Sequence, residues 1–168
     1  MYSRFLRGRQ GRKKLTFLAD SVTDLRDQAR GRTPQLERKD REAMKAFADA
    51  LDDLHGTLVV ADEGGLMSGR EELRERLGEL FGEVNRYDGR PSGSQLERVD
   101  GLEAELRGRE AELGEQLEQL DALNRMLDKR DLEPLVRLTR EAWQERQEGL
   151  GGSAAAASTV ARAVLLSL

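Results

Sequence analysis

Residues 94–128 read SQLERVDGLEAELRGREAELGEQLEQLDALNRMLD. The stretch holds no proline, and Val99, Leu106, Leu113, Leu120 and Leu127 return every seven residues. Leu96, Leu102, Leu117 and Leu123 form a second, broken row beside them. Apolar residues at that spacing make a narrow stripe on one helix, suited to lengthwise packing on another. At about 1.5 Å per residue the helix would run roughly 50 Å. Its stripe stays wet without a partner helix. The pattern therefore predicts an all-α protein: an antiparallel helical hairpin within a coiled-coil-like bundle of four or five helices, with flexible ends.

The other arm of the hairpin lies just upstream. Leu73, Leu77, Leu80, Phe81, Val84 and Tyr87 share one helical face. Ser68 and Glu71 have the spacing of a capping box that opens this helix, and Asp88-Gly89 closes it. Ser94 and Glu97 repeat the box at the start of the long helix. The short connection Arg90-Pro-Ser-Gly93 favours antiparallel neighbours. Leu73, Leu77, Leu80 and Val84, with the heptad row at 99–127, are the expected packing residues. Gly101, Gly108 and Gly114 sit inside the long helix, where each costs up to about 1 kcal/mol relative to alanine. They either admit a close helix or soften this one. Asn124 falls near the seam, where it either fixes register or sits half-exposed near the helix end.

Further from the hairpin the pattern repeats. Leu15, Leu18, Val22, Leu25 and Ala29 predict a first helix, closed at Gly31. Thr33-Pro34 reads as the cap and first turn of a second, with Met44, Phe47, Leu51 and Leu54 on one face and Gly56 as its stop. Residues 56–69 are irregular. Leu58-Val59-Val60 has the composition of a short extended piece, and Leu66 and Met67 suit a turn docked on the core. Gly64-Gly65 lacks the basic and hydroxyl residues of a phosphate loop. After Asp128, Leu132, Leu135, Val136, Thr139 and Trp143 make a further short helical pattern around Pro134. Trp143, the single tryptophan, reads as a core aromatic or, if exposed, as a docking anchor.

Composition bounds the rest. With 38% hydrophobic and 36% charged residues, the chain favours thin seams over a thick core. The charge is uneven. Residues 1–14 carry Arg4, Arg7, Arg9, Arg12, Lys13 and Lys14 and no acid, whereas residues 94–128 carry ten acids against four arginines. With Gly8 and Gly11 working against a stable helix, residues 1–14 read as a flexible basic arm. It meets an acidic or phosphate surface, stays a disordered tail, or folds on the chain's own acidic helix. Without interleaved aromatics, the arm lacks the stacking pattern of a nucleic-acid binder, and no nucleic-acid partner is expected. The domain division is thus an arm at 1–14, a helical bundle at 15–148 and a Gly/Ala-rich tail at 149–168.

Chemistry is sparse. His55 is the single histidine and there is no cysteine, so neither a metal centre nor a catalytic triad finds its ligands or base. Asp52/Asp53 and Asp62/Glu63 read as solvated carboxylates. No cofactor and no catalytic residue is expected. No run of apolar residues has membrane-spanning length, and no apolar leader is seen near the start.

Residues 70–135 resemble the helical tail of bacterial sortilin-like, BNR-repeat propeller proteins, many of them named glycosyl hydrolases. The resemblance is carried by Arg90-Pro91-Ser92, Gln95, Leu123-Asn124 and Leu132-Glu-Pro134-Leu135, with Ser21–Asp27 similar to a preceding helix. The propeller and its Asp-box repeats are absent, so no catalytic residue transfers. The resemblance implies a tail module and, for the parent, an extracytoplasmic setting. Without it a cytoplasmic setting is the default. Two functions follow as expectations: a non-catalytic helical packing module that pairs with itself or a larger protein, or a relative of a glycosyl hydrolase lacking its catalytic propeller.

Overall fold

The structure is a computed structural model that describes residues 2–59, 73–86 and 92–149. For residues 2–9, 81 and 84–86 it describes the backbone alone. The chain is all-α, with helices α1 (Tyr2–Arg32), α2 (Arg38–Leu58), α3 (Leu73–Arg86), α4 (Gly93–Leu117) and α5 (Leu120–Asp128). It divides into two compact units, Met1–Arg137 and Leu138–Leu168.

In the first unit α1 to α4 form a bundle in which every helix touches the other three. The largest pairing is α1 on α2, not the hairpin read from the sequence. The periodic residues of α1 explain this. Leu15, Leu18, Val22, Leu25 and Ala29 are all buried, as are Met44, Phe47, Ala48, Leu51, Leu54 and Leu58 of α2. Arg26 and Arg30 both reach Asp52 at 3.0 and 3.2 Å, tying the outer edge of the pair. The α3–α4 hairpin is present and antiparallel. Arg76, early in α3, meets Glu105, whereas Glu79 and Glu83 meet Arg98, nearer the start of α4.

Several expectations are corrected. The segment 1–14 is not an unstructured arm from residue 2 onward, because α1 is helical from Tyr2. Gly11 helps to explain it. It is buried, and a Cβ there would lie 3.7 Å from Leu77 Cδ2, so the glycine lies against α3. Packing of this kind overrides a weak helix propensity.

Thr33-Pro34 does not open α2. Thr33 Oγ1 donates to the Ala29 carbonyl at 2.8 Å, and residues 33–35 form a single 3-10 turn. The second helix starts at Arg38 and runs past Gly56 to Leu58. The capping box of α4 is Ser92–Gln95 rather than Ser94–Glu97. Gln95 N–H donates to Ser92 Oγ at 3.2 Å, and Ser92 N–H donates to Gln95 Oε1 at 2.9 Å.

The long helix is broken at residues 118–119. Glu118 N–H is shared between the Gly114 and Glu115 carbonyls at 3.3 Å, and Gln119 N–H reaches the Gln116 carbonyl at 3.1 Å. A straight helix drifts by about 20° per heptad from a seven-residue repeat. A tighter turn of about three residues per revolution rotates the following face the other way. The break therefore re-aims α5. Leu102, Leu106 and Leu113 are buried before it and Leu123 and Leu127 after it, while Val99, Leu117 and Leu120 are half-buried.

Helix α5 ends in a Schellman-type closure. Leu132 N–H donates to the Leu127 carbonyl and Asp131 N–H to the Asp128 carbonyl, both at 3.1 Å. Asp131 occupies the left-handed position of this closure, φ 53°, where glycine is usual. Residues 132–139 are not helical, contrary to the short helical pattern read around Pro134. In the second unit, residues 140–149 are helical. Thr139 caps them, its Oγ1 accepting from Ala142 N–H at 3.2 Å, and Leu138 and Trp143 are buried. The expected capping box at 68–71, the turn carrying Leu66 and Met67, the stop at 88–89 and most of the 149–168 tail lie outside the described residues.

Candidate interaction surface

The packing seam is covered from within the chain. Leu73, Leu77, Leu80, Leu106, Leu113 and Leu127 are buried in one core with the apolar faces of α1 and α2. Val99 and Leu120 pack at its margin, and the side chain of Val84 lies outside the described residues. The sequence exposes the need for a partner helix, and α1, α2 and α3 supply it. Trp143 is 8% exposed.

A different feature lies on the surface, built from the run after α5. Pro134 has no N–H and restricts Glu133 to non-helical backbone. The two residues that follow are held by side-chain amides. Leu135 N–H donates to Asn124 Oδ1 at 2.7 Å, and Asn124 Nδ2 donates to the Leu135 carbonyl at 3.0 Å. Val136 N–H donates to Gln28 Oε1 at 2.8 Å, and Gln28 Nε2 donates to the Val136 carbonyl at 2.9 Å. A residue whose N–H and carbonyl both meet one amide has them on the same side, as in a β-strand, and successive residues alternate sides. Leu135 and Val136 are therefore extended, and the non-helical residues 132–137 form a strap between α5, which carries Asn124, and α1, which carries Gln28.

The alternation also sorts the side chains. Leu135 is 2% exposed and anchors the strap in the core, whereas Val136 is 61% exposed. Val136 is the large exposed hydrophobic among the described residues. Gln28 is oriented by a further bond from its Nε2 to Asp24 Oδ2 at 2.7 Å. Arg32 grips the strap's near end, donating to the Glu133 carbonyl at 3.1 Å and to its carboxylate at 2.6 Å. A shallow depression beside Pro134 is lined by Asp121, Asn124, Arg125, Asp128 and Leu132.

Arg130, just before the strap, joins α2 through Asp40 at 2.5 Å and Glu37 at 3.2 Å. Hydrogen bonding from Arg130 and its charge hold the Glu37 carboxyl below the usual carboxylate range. The same partners raise the Arg130 guanidinium further, so it stays charged. His55 is half-buried. Burial, with the nearby Arg26 charge, lowers it below the usual imidazole value. Asp52 is engaged by two arginines. Among the described residues no three His, Asp or Glu side chains gather to hold a metal ion, and no helix is long and apolar enough to cross a membrane.

The sequence marks Pro134 as a breaker and Asn124 as a polar residue near the seam. It does not mark Gln28, which lies 108 positions from Val136. No local pattern announces such a pairing. Protein-family models, curated proteins and solved structures yield no match to this chain.

Proposed function

We propose that this chain is a non-catalytic helical packing module that binds a larger protein or a second copy of itself. The observation that carries this reading is the doubly clamped strap. Two amides and a buried leucine fix the backbone on which Val136 stands in solvent. An apolar side chain held on ordered backbone costs little further entropy when a partner covers it. The sortilin-like tail resemblance supports the same reading. Two stretches that carry it, Leu123-Asn124 and Pro134-Leu135, are the two that Asn124 joins. No observation among the described residues favours the glycosidase alternative.

The test is site-specific photocrosslinking in lysate of the source cells. A photoreactive residue at Val136 should give one discrete adduct, absent when the reactive group is at exposed Glu42 on α2. Equal labelling from both positions would overturn the reading.

A further inference from the structure

We infer that the cleft between Gln28 and Asn124 accepts the strap of a second copy of this chain, giving a dimer by reciprocal strap exchange. This deepens the packing-module reading by naming one partner. The cleft reads main-chain N–H and carbonyl groups together with one apolar anchor, Leu135. The occupant that satisfies it is residues 132–137, and every copy of the chain carries that occupant. Exchange remakes between chains the four amide bonds that hold the strap in its cleft, and gives up only the two backbone bonds of the α5 closure at the hinge.

The hinge favours exchange. Asp131 holds a left-handed backbone at φ 53° to turn the chain from α5 into the strap. That conformation is strained for a residue with a Cβ. Opening the turn to hand the strap across releases the strain, and short strained hinges are the segments that swap. Pro134 keeps the released strap extended, because its ring fixes φ and restricts Glu133. The strap is joined to its cleft by the exposed Gln28 bonds, the partly buried Asn124 bonds, the buried Leu135 and the partly buried Leu132, a short set beside the larger helix-to-helix core.

The experiment uses the full chain, refolded from urea at high and low concentration and separated by size-exclusion chromatography with light scattering. The chain lacks cysteine, so Arg32→Cys with Glu133→Cys provides a unique pair across the cleft. A bifunctional thiol reagent should join two chains in the dimer fraction and close within one chain in the monomer fraction. Asp131→Gly should lower the dimer-to-monomer ratio by about fivefold per subunit, and Asp131→Val should raise it. Circular dichroism on each variant checks that the helices persist. A chain that stays monomeric at every concentration overturns the inference. So does a dimer whose cross-links all close within one chain, or an Asp131→Gly ratio equal to wild type. In each of those cases a discrete heterologous adduct at Val136 would leave the packing-module reading standing.

Discussion

Asn124 and Gln28 hold neighbouring residues of one strap from opposite sides, each bonding both the N–H and the carbonyl of its residue. The two clamps differ in burial. The Asn124 pair is partly buried and the Gln28 pair is exposed. Removing a partner from a buried backbone group costs about 1–3 kcal/mol, more than losing an exposed bond. Asn124→Ala should therefore destabilise by about 1–3 kcal/mol and Gln28→Ala by about 1 kcal/mol or less. Urea denaturation of the two variants checks the order. Asn124→Asp, which keeps the acceptor but loses the donor, should also fall below wild type.

Leu106 is 3% exposed in the middle of α4. Leu106→Asp would bury an unpaired charge, so the loss should exceed the roughly 2–5 kcal/mol of a leucine-to-alanine truncation. Circular-dichroism melting should show a large fall or loss of the transition. An unchanged melt would place Leu106 on the surface.

The two serines at the start of α4 separate two cap registers. Ser92→Ala should cost about 1 kcal/mol, the usual worth of an N-cap hydroxyl. Ser94→Ala should cost less, since Ser94 Oγ reaches only the Ser92 hydroxyl, at 3.0 Å. Equal effects in chemical denaturation would contradict the Ser92 cap.

Much of this was legible in the sequence. Heptad and 3-4 spacing predict the helices, because burial of a stripe follows periodicity. They predict less well what covers the stripe. Residues 1–14 look poorly helical because Gly8 and Gly11 are judged by propensity, while Gly11 lies buried against α3. The α1–α2 pairing exceeds the α3–α4 hairpin because α1 and α2 bury broad faces, whereas α4 buries a narrow row. The break at 118–119 is invisible to the heptad row, which continues through it unchanged. In sequence the strap looks helical because Leu132, Leu135, Val136 and Thr139 mimic a helical period. Their geometry is decided by Pro134 and by two amides supplied from other helices. Its clamp is non-local and leaves no pattern in adjacent residues.

Gly108 is exposed within α4, and a Cβ there would meet nothing within 4 Å. Gly108→Ala should stabilise the chain by about 0.5–1 kcal/mol through helix propensity alone. A higher urea midpoint with an unchanged slope is the expected result. Destabilisation would reveal a helix seated on that face in solution.

His55, the single histidine, gives one clean titration by NMR. Burial and the Arg26 charge depress it, so it should titrate below the roughly 6.5 of a free imidazole. A depressed folded-state value favours the neutral form. The stability it contributes is complete above the unfolded value and is lost as pH falls through the folded one. The melting temperature should therefore fall with acidification below about pH 6.5, and less steeply in His55→Gln. A titration midpoint above the free value would reverse the sign.

The strap clamp underlies both the proposed function and the exchange of straps, and amide hydrogen exchange of Leu135 and Val136 tests it most directly. Neither residue is helical, so without the clamp both N–H groups would exchange as fast as free chain. The clamp predicts slowed exchange at both residues. Asn124→Ala should release Leu135, and Gln28→Ala should release Val136. Free exchange at both amides in the wild-type chain would contradict it.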